Sequence, residues 1–117
     1  MFVRVLSKSA FFAVLFLASV PAVTGARAQT ATEIQLSYKD KKFDPAEISA
    51  PANTAIVIKL KNLSDKAMEF ESKPLKIEKV VAAKTDAVIN VRGQKAGKYK
   101  FVDEYNEDVA FGTLTVK

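Results

Sequence analysis

The sequence predicts an all-β domain, an antiparallel β-sandwich, preceded by a segment that stays outside the fold. Beyond residue 32, apolar and polar residues alternate with a period of two in stretch after stretch, as in half-buried strands. Gly, Pro, Asn and Asp interrupt that alternation at near-regular intervals, which gives about seven or eight short strands. No stretch there carries a convincing amphipathic helical period.

The first 28 residues have the layout of a secretory signal peptide. Arg4 and Lys8 supply a positive start, and residues 10–20 form an apolar run too short for a bilayer, which takes about 20 residues. Pro21 and Gly25 end the signal helix, and Ala26-Arg27-Ala28 offers the small-x-small pattern of a cleavage site. Cleavage after Ala28 takes 28 of the 117 residues and leaves 89, enough for one small domain, residues 29–117. Three of the 18 basic residues leave with the signal and all 13 acidic ones stay, so the mature chain carries a net charge of +2. Nothing in it resembles a basic, aromatic-studded face for nucleic acid.

Residues 29–32 are a polar lead-in. Ile34, Leu36 and Tyr38 then alternate with Glu33, Gln35, Ser37 and Lys39, a first strand with one wet face. Asp40-Lys41-Lys42 turns into Phe43-Asp44-Pro45-Ala46-Glu47-Ile48, where Pro45 donates nothing to a ladder and fits a strand start or a sheet edge. Ala50-Pro51-Ala52-Asn53 is a second turn. Ile56, Ile58 and Leu60 face one way and Val57, Lys59 and Lys61 the other, the clearest strand in the chain. A loop at residues 62–66 leads to Met68-Glu69-Phe70-Glu71-Ser72, and a strand beginning near Leu75 runs into Val80-Val81. After a turn at residues 84–86, Val88 and Asn90 alternate with Ala87, Ile89 and Val91, and residues 92–97 turn again with two glycines.

The last 21 residues hold the main oddity. Tyr99 and Phe101 alternate with lysines, Leu114 and Val116 alternate with threonines, and between them lies Asp103-Glu104-Tyr105-Asn106-Glu107-Asp108. Alternation sets Asp103 on the face of Tyr99 and Phe101, at the end of a core strand. A carboxylate in that position needs a reason.

Composition excludes several reasons. There is no cysteine and no histidine, so disulfides, histidine general bases, Ser-His-Asp or Cys-His nucleophiles and Cys/His zinc sites are all out. Two acids can hydrolyse glycosides, but a sandwich of 89 residues leaves scant room for a substrate cleft.

Phe43-x-Pro45-x-x-Ile48, Ile56-x-Ile58-x-Leu60-x-Asn62, Gly97-x-Tyr99-x-Phe101-x-Asp103 and Gly112-x-Leu114-x-Val116 together resemble the cupredoxin-like family, over roughly residues 33–117. Glu69-Phe70-Glu71 and the lysine-rich strand after it are further similar to periplasmic cupredoxin-like subunits of bacterial ferrous iron uptake systems. The resemblance implies a Greek-key sandwich with a metal site at one end. Blue-copper members bind through Cys, His and Met. Here Asp103 stands where the Cys is expected, Glu107 or Asp108 near the His, Ala110 near the Met, and Met68-Glu69 in the region of the first His. A type 1 blue-copper centre is therefore excluded.

The donors that remain are hard oxygens, suited to ferrous, ferric, manganese or calcium ions. The expected metal ligands are Asp103, Glu104, Glu107 and Asp108 on one loop, Glu69 or Glu71 from its neighbour, and Met68 as a soft donor that copper can still use. Plainer readings stand beside these: a solvated acidic turn, glutamates facing water opposite Phe70, and Met68 as core filler. Function then divides between a periplasmic metal-binding protein and a metal-free scaffold for protein interaction in the envelope. For the first, the resemblance implies a protein that binds, oxidises or hands over iron or copper beside a membrane iron permease and a second periplasmic metal-binding protein.

Overall fold

The computed structural model describes residues 18–19, 21–22 and 30–117. The expected signal peptide, four residues aside, lies outside the described residues. Among those described there are nine strands: β1 (Thr32–Lys39), β2 (Lys42–Asp44), β3 (Glu47–Ala50), β4 (Ile56–Asn62), β5 (Met68–Ser72), β6 (Ile77–Val81), β7 (Asp86–Val91), β8 (Gly97–Asp103) and β9 (Phe111–Val116). A single 3₁₀ turn, Glu104–Asn106, interrupts the last connection. The strands form two sheets, in the orders β2-β1-β4-β7 and β3-β9-β8-β5-β6.

This is the expected β-sandwich, with nine strands where seven or eight were expected and two further differences of detail. First, β1 pairs with β4 and β3 pairs with β9 in parallel, so both sheets are mixed. The cause is the crossing at Pro45. β1 and β2 form a hairpin through Asp40 and Lys41, both at positive φ, and the chain then leaves the first sheet to lay β3 on the edge of the second. It returns as β4 on the other flank of β1. Second, β6 begins at Ile77 rather than near Leu75. Residues 73–76 form a four-residue turn, with Lys76 at positive φ and its N–H donating to Lys73 O at 3.1 Å.

The alternation read from sequence fills the space between the sheets. Ile56, Ile58 and Leu60 of β4 meet Met68, Phe70, Phe101 and Leu114 from the other sheet, all at most 1% exposed. Phe43, at the sheet edge, stands at right angles to Phe101 with ring centroids 5.0 Å apart, and Phe70 stacks on Phe101 at 5.3 Å. Burial of each such side chain contributes roughly 1.5–3 kcal/mol, so a core of this size carries the fold without a disulfide. Tyr38 packs at 5.0 Å against Phe43 and points its hydroxyl out of the apolar cluster, toward the end of β8.

Beside that end, Asn62 holds two loops in place. Its amide donates to Lys66 O, Val81 O and Ala82 O, and its oxygen accepts from Ser64 N. An Asn at the inward position that ends β4 thus fixes where β5 begins. Among the described residues no helix is long and apolar enough to cross a membrane.

Candidate metal centre

Asp103 ends β8 facing inward and is completely buried. Its two oxygens face four donors. Oδ1 accepts the Glu69 N–H at 3.0 Å and the Tyr105 N–H at 3.2 Å. Oδ2 accepts Asn106 Nδ2 at 3.0 Å and the Tyr38 hydroxyl. Every contact is a donor, so the group serves as acceptor on both oxygens, the arrangement that makes a buried carboxylate tolerable. The Tyr38 phenol is pushed well above its ordinary pKa, by burial first and then by its hydrogen bond to Asp103 and the charge there.

The residues that flank Asp103 in sequence, and those that flank its register partner, face the other way. Phe70 pairs with Asp103 across β5 and β8, so Glu69 and Glu71 flank an inward residue and point to the outer face of the sheet. Glu71 pairs in turn with Glu78 of β6, which brings a third glutamate to that face. The 3₁₀ turn, capped by Asp103, carries Glu104 back over the same face. Glu69, Glu78 and Glu104 each have a carboxylate oxygen within 4.8 Å of the others'. Glu71 is beside them, is 6% exposed and pairs with Glu78 across the β5–β6 ladder.

Like charges opposite one another in a ladder repel, and the protonation equilibria record it. Glu104 is raised above the usual carboxylate range, chiefly by a hydrogen bond shared with Glu69, then by desolvation and by the charge of Glu69. Glu71 is raised by desolvation first and by the charge of Glu104 second. The Tyr105 phenol is also raised, by partial burial and then by Glu69.

The residues expected from sequence therefore part company. The fold brings Glu69 and Glu104 together, with Glu71 adjoining. Glu107 and Asp108 are exposed and line an open groove of about 420 Å³ with Glu71, Lys73, Pro74, Lys100 and Val102. Met68 is wholly inside the core, as is Ala110. Asp103 is saturated by its four donors. Sequence reading passed over Glu78, whose position depends on the length of the 73–76 turn. It also passed over Tyr38 and Asn106 as partners of Asp103. The tyrosine read as packing, although a buried Tyr at a strand end always needs a partner for its hydroxyl.

The model of the cupredoxin-like domain family matches residues 8–116. The chain belongs to the cupredoxin-like family. It is 33% identical over 84 residues to an uncharacterized protein of Rickettsia prowazekii (strain Madrid E), covering 72% of this chain and 67% of that one. Auracyanin A, a "blue" copper protein of Chloroflexus aurantiacus, superposes with a TM-score of 0.65 at 13% identity, over 75% of this chain and 100% of that one. The metal-binding domain of the Cu(I)-exporting P-type ATPase of Streptococcus pneumoniae D39, solved with Cu(I), gives 0.64 at 18% identity, over 73% and 84%. Identities this low speak for a shared fold.

The residues of this cupredoxin-like protein do not fit a soft-ligand copper centre. The chain has no cysteine or histidine, its one nearby thioether is in the core, and Asp103 has both oxygens engaged. What the fold offers instead is a group of hard oxygen donors on the outer face of one sheet.

Proposed function

We propose that this protein is a periplasmic metal-binding protein, accessory to iron uptake, that holds a hard cation between Glu69, Glu78 and Glu104 with Glu71 as a further donor. The observation that carries this reading is the convergence of three carboxylates from three different elements to within 4.8 Å. Glu71, 6% exposed and opposite Glu78 in the β5–β6 ladder, adds a fourth carboxylate beside them. A di- or trivalent ion neutralises mutual repulsion among these carboxylates. Carboxylates favour ferrous, ferric or manganous ions over Cu(I). The copper held by its structural neighbours supports metal handling on this scaffold, with the ligand chemistry changed from soft to hard. The signal-like leader supports export, and a membrane iron permease and a second periplasmic metal-binding protein are the partners we propose for receiving the ion.

A second reading has its own observation. Asp103, in the position where the family keeps a ligand, is closed off by four donors, as suits a metal-free scaffold that serves as an interaction module. Calorimetric titration of residues 29–117 with ferrous, ferric, manganous and cupric ions separates the two. We expect ferrous or manganous binding at micromolar levels, weakened at least tenfold in Glu78→Gln and in Glu104→Gln. No binding tighter than about millimolar, roughly −4 kcal/mol, leaves the interaction module standing.

A further inference from the structure

We infer that Lys79 closes the open side of the sandwich, where β6 and β7 lie beside each other, against strand addition by a second copy of this chain.

Among the described residues four strands stand at sheet edges, β2 and β7 in one sheet, β3 and β6 in the other. An edge presents unpaired N–H and C=O groups to any extended chain, and shortness is one protection against it. β2 and β3 have that protection, with three and four residues, and the chain passes between them through Pro45, which has no N–H to offer. β6 and β7 are longer, with five and six residues. Each also carries an exposed valine on its outer face, Val80 at 57% and Val88 at 46%. Length and β-branched apolar residues make this the side suited to pairing.

Residues opposite each other in a ladder point to the same face, and Lys79 stands opposite Phe70, which is wholly in the core. Lys79 is therefore on the inner face of β6, between Ile77, which packs against the core, and the buried Val81. A lone ammonium is too costly to keep among apolar side chains. The stem instead crosses from one sheet to the other, and Nζ donates to Val88 O of β7 at 3.0 Å. That carbonyl thus faces the free edge of β7 rather than β4, and the Val88 N–H shares its direction, as in any antiparallel strand. A strand added to β7 needs both groups and must first displace the ammonium. Inward-pointing charge at an edge is one of the devices that keep sheets from joining. Two β7 edges related by a two-fold axis are complementary to each other, which makes a second copy the partner excluded.

The test uses residues 29–117, which hold all nine strands, in sedimentation velocity runs where circular dichroism shows the protein folded. Lys79→Arg keeps a charged donor of similar reach, and Lys79→Met keeps the stem without the charge. We expect the unmodified protein and Lys79→Arg to sediment as monomers through the micromolar range, and Lys79→Met at twice that mass. Within the Lys79→Met dimer the Val88 amide should exchange more slowly with deuterium than in the unmodified monomer. Adding Val88→Pro removes that N–H and should restore the monomer. Another arm needs no variant to fold. Acetic anhydride neutralises lysines of the folded, unmodified protein, and acetylation at Lys79 should be enriched in the dimer fraction over the monomer fraction. A dimeric unmodified protein overturns the inference, as does a Lys79→Met protein that stays monomeric. So does association of Lys79→Arg, a dimer that survives Val88→Pro, or acetylation at Lys79 that is equal in the two fractions.

Discussion

Two sets of carboxylates sit back to back on one sheet of this molecule and are treated in opposite ways. On the inner face, Asp103 is completely buried, and four donors from β1, β5 and the 3₁₀ turn meet its oxygens. On the outer face, Glu69, Glu71, Glu78 and Glu104 face one another, and neither of the described ion pairs, Lys59–Glu33 and Lys84–Asp65, reaches them. Solvation decides which solution is available. Inside, water is absent and an unmatched charge is intolerable, so the fold supplies donors. Outside, water tempers the repulsion enough for the cluster to persist, with Glu71 and Glu104 shifted upward.

The largest expected effect breaks the inner set. Asp103→Ala leaves four donors facing an empty site, and we expect a loss of about 3–5 kcal/mol, the usual cost of removing one partner from a buried charged network, read by urea denaturation. Tyr38→Phe removes one hydrogen bond to a charged acceptor and keeps the ring against Phe43, so a loss of about 1.5–3 kcal/mol is expected in the same measurement. Should Tyr38→Phe prove neutral, the hydroxyl contributes nothing and the inner set is held by the backbone donors alone.

The outer set predicts the opposite sign. Glu104→Gln should raise the melting temperature of the metal-free protein at neutral pH, since it removes a charge from a crowded group. A drop of the size seen for inner-face variants would mean that Glu104 has a partner and the contrast between faces is false.

The smallest effect is the pH dependence. Glu71 and Glu104 titrate higher in the fold than their ordinary value of 4.5, so the folded state binds more protons than the unfolded one between those limits. Their contribution to stability is therefore fully present below about 4.5 and is lost as pH rises through the raised values. The melting-temperature advantage of the doubly substituted Glu71→Gln, Glu104→Gln protein should accordingly widen from pH 4.5 to neutral, and saturating manganese(II) should close it by stabilising only the unmodified chain.

Much of this was legible in the order of residues. Alternation around Ile58, Phe101 and Leu114 gave strands and a core face because a pleated strand has a period of two and nothing else needs to be known. The same rule put Asp103 inside and Glu69 and Glu71 outside. Glu78 was hidden because its place depends on pairing, and pairing depends on the turn of residues 73–76, whose Lys76 adopts a positive φ that no side chain announces. The parallel pairings of β1 with β4 and of β3 with β9 were hidden for a related reason. Strand order follows from which sheet the chain rejoins after Pro45, and that is decided by packing of whole elements.

By itself, the sequence determined that this is an all-β chain with a carboxylate at the end of a core strand and neither the cysteine nor the histidine of a soft-metal centre. These are local or compositional properties, carried by neighbours in the chain. Only the tertiary structure decided what that carboxylate does. The donors that meet Asp103 come from residues as far away in sequence as Tyr38, and the glutamates it separates from the core converge from β5, β6 and the 3₁₀ turn. Contacts between distant residues are set by register and closure, which no local pattern contains.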